Sequence, residues 1–106
     1  MVRRLGIDVP TERVAGFCRK WKVTELALFG SVLRDDFRLD SDVDVLVSFA
    51  SDAQWSLLDE VRMEEELAEL LGYPVDLVSR RAVEQSENWI RRRAILESAE
   101  PLYVAR

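Results

Sequence analysis

The sequence predicts a small α/β (α+β) fold in which helices flank a mixed β-sheet. Two apolar segments, 23–29 and 43–49, have the length and the alternation typical of strands. A capped amphipathic segment at 57–71 predicts the longest helix, and a third strand-like segment follows at 74–79. Strands that alternate with helices in this way indicate a sheet with helices packed on it. With 106 residues, the chain is predicted to form one domain, 1–106.

The first helix is expected to begin after Pro10, with Thr11 as its N-cap and apolar residues at helical spacing up to Trp21. The strand at 23–29 follows and is apolar enough to lie in the centre of the sheet. Gly30 ends this strand. Before the second strand we expect a helical turn and a polar loop, at 32–35 and 36–40.

The helix at 57–71 has clear predicted ends. Ser56 and Asp59 form a capping box at its start, and Gly72 stops it. One face of the helix is expected to pack on the sheet, and the acidic face is expected to contact water. The predicted apolar stripe consists of Leu57, Val61, Leu67, Leu70 and Leu71. The predicted solvent-exposed face consists of Glu60, Glu64, Glu65, Glu66 and Glu69.

Two further helices are predicted near 81–84 and at 87–98, followed by an extended segment at 101–103. Trp21 and Trp55 are expected to belong to the core or to an interface and not to stack on a ligand. In the longer of the two helices, the residues expected to pack on the sheet are Trp89, Ile90, Ala94 and Ile95.

The composition excludes several classes of site. The chain contains no histidine and one cysteine, Cys18, so it lacks the residues for a histidine-dependent nucleophile or a zinc cluster. Any acid–base or metal chemistry must therefore use carboxylates. No segment is typical of a signal peptide or a membrane span, and we therefore expect a cytoplasmic location.

Direct nucleic-acid binding is not expected. The net charge is −5, whereas sequence-independent binding depends on a basic surface. Arg91, Arg92 and Arg93 are adjacent in a predicted helix, where successive positions rotate by about 100°. The three side chains therefore point in different directions and do not form one basic patch.

Asp42 and Asp44 open the second strand two residues apart, so their side chains share one face, with Cα atoms about 6.6 Å apart. Gly30 and Ser31 form a small-residue turn at the end of the first strand. Together the acids and the turn predict a hard metal ion with a phosphate ligand. The alternative is that both acids simply belong to a polar loop.

The positions of the acids also predict strand directions. Gly30 ends the first strand, and Asp42 and Asp44 open the second, so these residues meet only if the two strands are antiparallel. Asp76 lies near the start of the third strand and is expected on the same sheet face, one strand or about 4.8 Å away. The second and third strands should then be parallel, with the helix at 57–71 as a right-handed crossover.

Three segments carry a family resemblance: 28–34 (LFGSVLR), 41–47 (SDVDVLV) and 74–78 (PVDLV). Together they resemble the DNA polymerase β-like nucleotidyltransferase superfamily. More narrowly, they resemble the minimal nucleotidyltransferases (MNT) that act as antitoxins of HEPN-domain RNase toxins. The resemblance covers 11–103 and implies the polymerase β-like nucleotidyltransferase fold. One departure is Asp35, because family members often have glycine directly after the arginine.

The resemblance implies a two-metal mechanism. Asp42 and Asp44 would bridge two Mg²⁺ ions. Asp76 would complete the ion that activates the attacking oxygen and would take the proton from the acceptor hydroxyl. Gly30 and Ser31 would hold the β- and γ-phosphates of ATP.

Arg34 would steady the triphosphate according to the same resemblance. Pairing with Asp36 or Asp40 is the alternative for this arginine. A carboxylate at Asp35 would repel a triphosphate, so this side chain must point away from the nucleotide.

The implied function is that of an antitoxin that transfers AMP from ATP to a hydroxyl of its HEPN toxin, a tyrosine, and so inactivates it. Larger members of the superfamily carry helical acceptor-binding domains, for which this chain has no room. The acceptor is therefore expected to be small or to be presented by another protein. The alternatives are a non-catalytic antitoxin that neutralises its partner by binding and a small-molecule nucleotidyltransferase. A homodimer and a hetero-oligomer with the toxin both remain open.

Overall fold

The computed structural model describes residues 10–30 and 42–105. In chain order the elements are α1 (Thr11–Lys20), β1 (Val23–Phe29), β2 (Val43–Phe49), α2 (Leu57–Leu71), β3 (Val75–Ser79), α3 (Arg80–Glu84), α4 (Trp89–Ser98) and β4 (Glu100–Val104). The helical turn predicted at 32–35 and the loop predicted at 36–40 lie outside the described residues.

The strands form a mixed sheet in the order β3-β2-β1-β4. β1 is antiparallel to both β2 and β4, whereas β2 and β3 are parallel and α2 connects them. The predicted strand directions are confirmed, and so is the small mixed sheet flanked by helices. The segment at 101–103, which the sequence predicts as extended, is part of β4 and pairs with β1.

Apolar side chains cover both faces of the sheet, because successive residues of a strand face opposite sides. The larger core joins the sheet to α1 and α2 and includes Phe17, Leu28, Val45, Met63 and Leu67. The smaller core joins it to α3 and α4 and contains Ala27, Phe29, Leu46, Val83 and Ile95. Each fully buried side chain of this kind contributes about 1.5–3 kcal/mol, so the two cores hold the strands in their register.

The helix ends show one confirmed cap and one wrong prediction. Ser56 Oγ accepts a hydrogen bond from Asp59 N at 3.2 Å, and Ser56 N donates to Asp59 Oδ2 at 3.0 Å, which confirms the capping box. Gly72 ends α2 in the left-handed conformation, with a φ of 79°. Thr11 is not the N-cap of α1, because the carbonyl of Pro10 already accepts the first helical bond, from Val14 N at 3.0 Å.

The buried stripe of α2 differs from the predicted one. Met63, Leu67 and Leu71 are buried, whereas Leu57 and Val61 are 78% and 42% exposed. Val61 precedes Met63 by two residues, which places it about 200° around the helix and on the outer side. The prediction for Leu57 and Val61 is therefore wrong.

The helix α4 contacts the sheet mainly through its second half. Ile95 is buried and Leu96 packs beside it, but Trp89 and Ile90 are 58% and 65% exposed, and Ala94 is exposed as well. The predicted packing of Trp89, Ile90 and Ala94 on the sheet is therefore wrong.

Trp21 and Trp55 form an edge-to-face pair with ring centroids 5.2 Å apart, packed against the larger core. Trp55 Nε1 donates to the carbonyl oxygen of Trp21, and Trp21 Nε1 donates to Glu66 Oε2, both at 3.0 Å. Lys20 Nζ lies 3.0 Å from the same carboxylate oxygen. The core position predicted for both tryptophans is confirmed, and the pair links α1, α2 and the segment after β2.

Within residues 10–30 and 42–105, the longest helix has 15 residues, and none is long and apolar enough to cross a membrane.

Candidate active site

Gly30 and Asp44 form the centre of the candidate site. Phe29, the last residue of β1, is the cross-strand partner of Asp44 near the start of β2. Gly30 follows with a φ of +76°, a conformation that glycine adopts without steric cost. A Cβ built at Gly30 would overlap Asp44 Oδ2 and would lie 3.2 Å from its Cγ. The carboxylate of Asp44 therefore occupies the space that any other residue at position 30 would fill.

Asp76 lies beside Asp44 on the neighbouring parallel strand. The register pairs Val43 with Val75 and Asp44 with Asp76, so the two carboxylates share a sheet face at adjacent positions. Val43 N donates to the carbonyl oxygen of Pro74 at 2.8 Å and fixes the start of this pairing. Adjacent strands are about 4.8 Å apart, so one cation can contact both side chains. The predicted proximity of Asp44 and Asp76 is confirmed by the register.

The acids occupy the rim of an otherwise apolar sheet face. Leu46 and Val78 are the next residues on the same face of β2 and β3, and both contact the smaller core. Asp44 is half-buried and Asp76 is exposed. The site therefore lies at one end of this face, where Asp76 is accessible to solvent.

Asp42 immediately precedes β2 and is exposed, while Ser31 and Arg34 lie outside the described residues. The roles predicted for Ser31 and Arg34 therefore stay predictions, as does the orientation of Asp35. The described part of the site brings together Gly30, Asp44 and Asp76.

The donor atoms of the site suit Mg²⁺, because this ion prefers carboxylate oxygens and the chain contains no histidine. In the described part of the chain, no three acidic or cysteine side chains are close enough to form a ready-made cation site. Asp42, Asp44 and Asp76 thus provide suitable ligands at the start of neighbouring strands without forming a closed set.

Glu64 supports the site in a way that the sequence does not indicate. Its Oε2 accepts a hydrogen bond from the backbone amide of Leu77 at 2.8 Å, directly after Asp76 in β3. β3 is an edge strand. Every second amide of the strand therefore points away from the sheet and has no strand partner. Glu64 was predicted to face water, but it reaches from α2 and satisfies one of these amides. The edge position of β3 is the one signal that could have suggested it.

An ion pair holds the opposite end of β3. Arg80 Nη1 lies 2.9 Å from Glu25 Oε1 of β1, and both side chains are about one third exposed. Arg80 Nε also lies 3.5 Å from Glu84 Oε2 within α3. These contacts fix the start of α3 against the sheet, away from the acids.

The nucleotidyltransferase domain family matches residues 12–101 of the chain. The protein adenylyltransferase MntA of Thermococcus cleftensis is 42% identical over 64 residues, which are 60% of this chain and 63% of that protein. Two relatives from Methanocaldococcus jannaschii are likewise matched over 63% and 64% of their lengths. The chain thus spans less than two thirds of the length of these relatives.

Solved structures have the same fold. A minimal nucleotidyltransferase is 36% identical, with a TM-score of 0.65, and the match covers 86% of this chain and 87% of that one. A toxin–antitoxin crystal structure with AMP-PNP gives a TM-score of 0.68 at 21% identity, covering 92% and 76% of the two chains. The structure of a tri-AMPylated Shewanella oneidensis HEPN toxin in complex with MNT antitoxin gives a TM-score of 0.60 at 22% identity. This match covers 90% of this chain and 70% of that one. At these low identities, the two complexes show the fold alone.

Proposed function

The chain belongs to the nucleotidyltransferase domain family, as the sequence predicts, and we propose that it transfers AMP from ATP to a hydroxyl of a HEPN-domain toxin. The observation that supports this proposal most directly is the juxtaposition of Gly30, Asp44 and Asp76. A glycine turn beside two carboxylates from parallel strands is suited to a triphosphate and its cations.

The proposed reaction is an in-line displacement at the α-phosphorus of ATP. The acceptor oxygen forms a bond to this phosphorus, the bond to the β-phosphate oxygen breaks, and pyrophosphate leaves. Asp76, exposed at the edge of the sheet, takes the proton of the acceptor hydroxyl. Asp42, Asp44 and Asp76 would hold two Mg²⁺ ions, which stabilise the entering and leaving oxygens when bound.

The phosphate-binding side of the site begins at Gly30. The positive φ of this residue and its missing side chain let the backbone approach a phosphate while leaving room for Asp44. Ser31 and Arg34 follow in the sequence and are proposed to bind the β- and γ-phosphates.

The proposed partner follows from the relatives. One relative is named a protein adenylyltransferase, and one structural neighbour is the antitoxin in a complex with an AMPylated HEPN toxin. A toxin–antitoxin structure with AMP-PNP supports ATP as the nucleotide. We further propose that the acceptor is a tyrosine hydroxyl. We also propose that residues 1–106 form a single minimal domain and that the protein is cytoplasmic.

A non-catalytic antitoxin is the second candidate. The test below separates it from the enzyme by whether AMP is transferred. Such a protein would neutralise its toxin by covering it. No structural observation favours the small-molecule nucleotidyltransferase.

The test is transfer of AMP to protein, measured by intact mass. The full chain is incubated with Mg²⁺ and ATP, with and without the candidate HEPN protein of the same genome. The double variant Asp42→Asn/Asp44→Asn removes two proposed ligands, and Asp52→Asn, an exposed carboxylate paired with Lys22, is the matched control.

We expect the HEPN protein to gain AMP with the wild type and the Asp52 variant, and to gain none with the double variant. Transfer by the double variant would refute the proposed site. A tight complex without transfer by any form would instead establish the non-catalytic antitoxin.

A further inference from the structure

Among residues 10–30 and 42–105, two patches of exposed apolar side chains lie outside both cores. The first, called the α2 patch, consists of Leu57, Leu58 and Val61, which are 78%, 60% and 42% exposed. The second, called the α4 patch, consists of Trp89 and Ile90, which are 58% and 65% exposed. Clustered large apolar side chains on a surface are typical of a protein–protein contact.

The two patches lie on opposite sides of the sheet. α2 packs on one face, where Met63 and Leu67 join the larger core. α4 packs on the other face, where Ile95 joins the smaller core. The two patches therefore belong to helices that pack on opposite faces of the sheet.

The surroundings of the patches have opposite charge. Helix α2, Leu57–Leu71, contains six acidic residues and one arginine, and its Glu65 and Glu69 are exposed. The segment 80–98 contains five arginines and three glutamates. Arg80 and Arg93 pair with Glu84 and Glu97, whereas Arg81 and Arg91 are exposed. The partner that fits the α4 patch is therefore apolar with acidic surroundings, and the α2 patch is such a surface.

We propose that the α4 patch of one molecule binds the α2 patch of a second copy of the chain. Contact between two identical patches would bring like charges together, whereas contact between different patches brings opposite charges together. The resulting interface is heterologous, so it builds open chains or rings and not a simple two-fold dimer. The association does not depend on the transferase activity proposed above.

The docked copy would also affect access to the candidate site. α4 packs on the sheet face that carries Asp44 and Asp76, so a molecule on the α4 patch stands on the same side as these acids. Self-association would then compete for this side of the molecule with the protein acceptor of the function proposed above.

The contact is expected to be weak and sensitive to salt. Each patch has two or three apolar side chains, whereas stable interfaces bury about 1,600 Å² in total. Its charges lie at the surface, so raising the NaCl concentration from about 50 to about 500 mM should weaken the association about tenfold.

The test uses two complementary double variants of the full chain. Trp89→Ser/Ile90→Ser removes the α4 patch and keeps the α2 patch, whereas Leu57→Ser/Leu58→Ser does the reverse. Val104→Ser is the matched control, because Val104 is a 52% exposed apolar residue of β4 outside both patches. All these side chains are exposed, so the fold should be kept, and circular dichroism verifies it.

Sedimentation equilibrium from about 10 to about 500 µM measures the average mass of each form. We expect the wild type and the Val104 variant to gain mass with concentration, and each double variant to stay monomeric. An equimolar mixture of the two double variants should form dimers and nothing larger, because each pair has a single intact α2–α4 contact. A monomeric wild type, a monomeric mixture, or double variants that associate like the wild type would each overturn the proposal.

Discussion

Gly30 lies against the carboxylate of Asp44 across the β1–β2 pair, so closely that position 30 has no space for a side chain. Its φ of +76° and the overlap of a built Cβ with Asp44 Oδ2 describe the same constraint in two ways. The glycine therefore leaves room for the proposed metal ligand Asp44 and also opens the turn proposed to bind phosphate. An alanine at this position must displace the carboxylate.

The variant Gly30→Ala should abolish AMP transfer and lower the free energy of unfolding by about 1–2 kcal/mol. Gly72→Ala is the matched control, because Gly72 has nearly the same φ, 79°, but no atom within 4 Å of a built Cβ. It should cost about 1 kcal/mol and leave transfer intact. Urea unfolding and the mass assay measure both effects, and equal loss of transfer in the two variants would contradict this role of Gly30.

The bond between Glu64 and the amide of Leu77 predicts a local effect on β3. Glu64→Ala should lower the protection of the Leu77 amide against hydrogen exchange about fivefold to tenfold, because a bond worth about 1 kcal/mol or more is lost. Glu64→Gln keeps an acceptor oxygen and should restore most of the protection. Glu65→Ala, an exposed neighbour on the same helix, should change nothing at Leu77. Equal protection in the alanine and glutamine variants would disprove the assignment.

The capping box of α2 predicts a dependence of stability on pH. The backbone amide of Ser56, and then its hydroxyl, hold the pKa of Asp59 below its usual value of 3.8. The ionised form is therefore favoured in the folded state. Its contribution is present above pH 3.8 and is lost as the pH falls through the lower folded pKa.

Melting temperatures between about pH 6 and pH 2.5 test this dependence. The melting temperature of the Asp59→Asn variant should fall less with acid than that of the wild type, because the contribution of Asp59 is missing. Ser56→Ala should lower the free energy of unfolding by about 1 kcal/mol. It should keep most of the acid-induced fall in melting temperature that Asp59 causes, because the backbone amide at position 56 remains. If the wild type and the Asp59 variant have parallel curves, the assignment is wrong.

Cys18 predicts a second dependence, at alkaline pH. Burial raises the pKa of its thiol from 9.0 to about 12. The unfolded chain therefore releases this proton at a lower pH than the folded protein does. The contribution of the Cys18 thiol to the free energy of unfolding should be constant below pH 9 and should fall between pH 9 and about 12.

The variant Cys18→Ala removes this titration and leaves a small cavity. It should be less stable than the wild type at pH 8, and the difference between the two should shrink as the pH rises to about 10.5. Urea unfolding at each pH gives the comparison. A difference that stays constant would show that the thiol does not titrate as described.

The order and the direction of β1, β2 and β3 could be predicted because two constraints agreed, whereas the position of β4 beside β1 was not predicted. Alternation along β2 placed Val43, Val45 and Val47 on one face and left Asp44 on the other. The site then required Asp44 to meet Gly30 and Asp76, which fixed one antiparallel and one parallel pair. The register confirms both pairs.

Apart from the N-cap of α1, the wrong predictions concern helix faces. Apolar spacing in α4 could not reveal that the first turn extends beyond the sheet and leaves Trp89 and Ile90 exposed. In α2, Met63 and not Val61 belongs to the buried stripe. The helix has leucines on several sides, so the sequence did not decide which side is buried. Glu64 could not be placed, because its partner is a backbone amide on another element and has no sequence signal. Ser31 and Arg34 stay predictions.

The strand order also affects how the chain folds while it is being synthesised. β1 pairs on one side with β2, which follows it closely, and on the other side with β4, which comes last among the elements. Gly30, Asp44 and Asp76 belong to the part of the sheet whose strands are complete once residue 79 is available. Until β4 arrives, however, one edge of the apolar strand Val23–Phe29 has unpaired amides and carbonyls that another chain can bind. β4 thus covers this edge of β1 once it is synthesised, although it lies on the side of β1 away from Asp44 and Asp76.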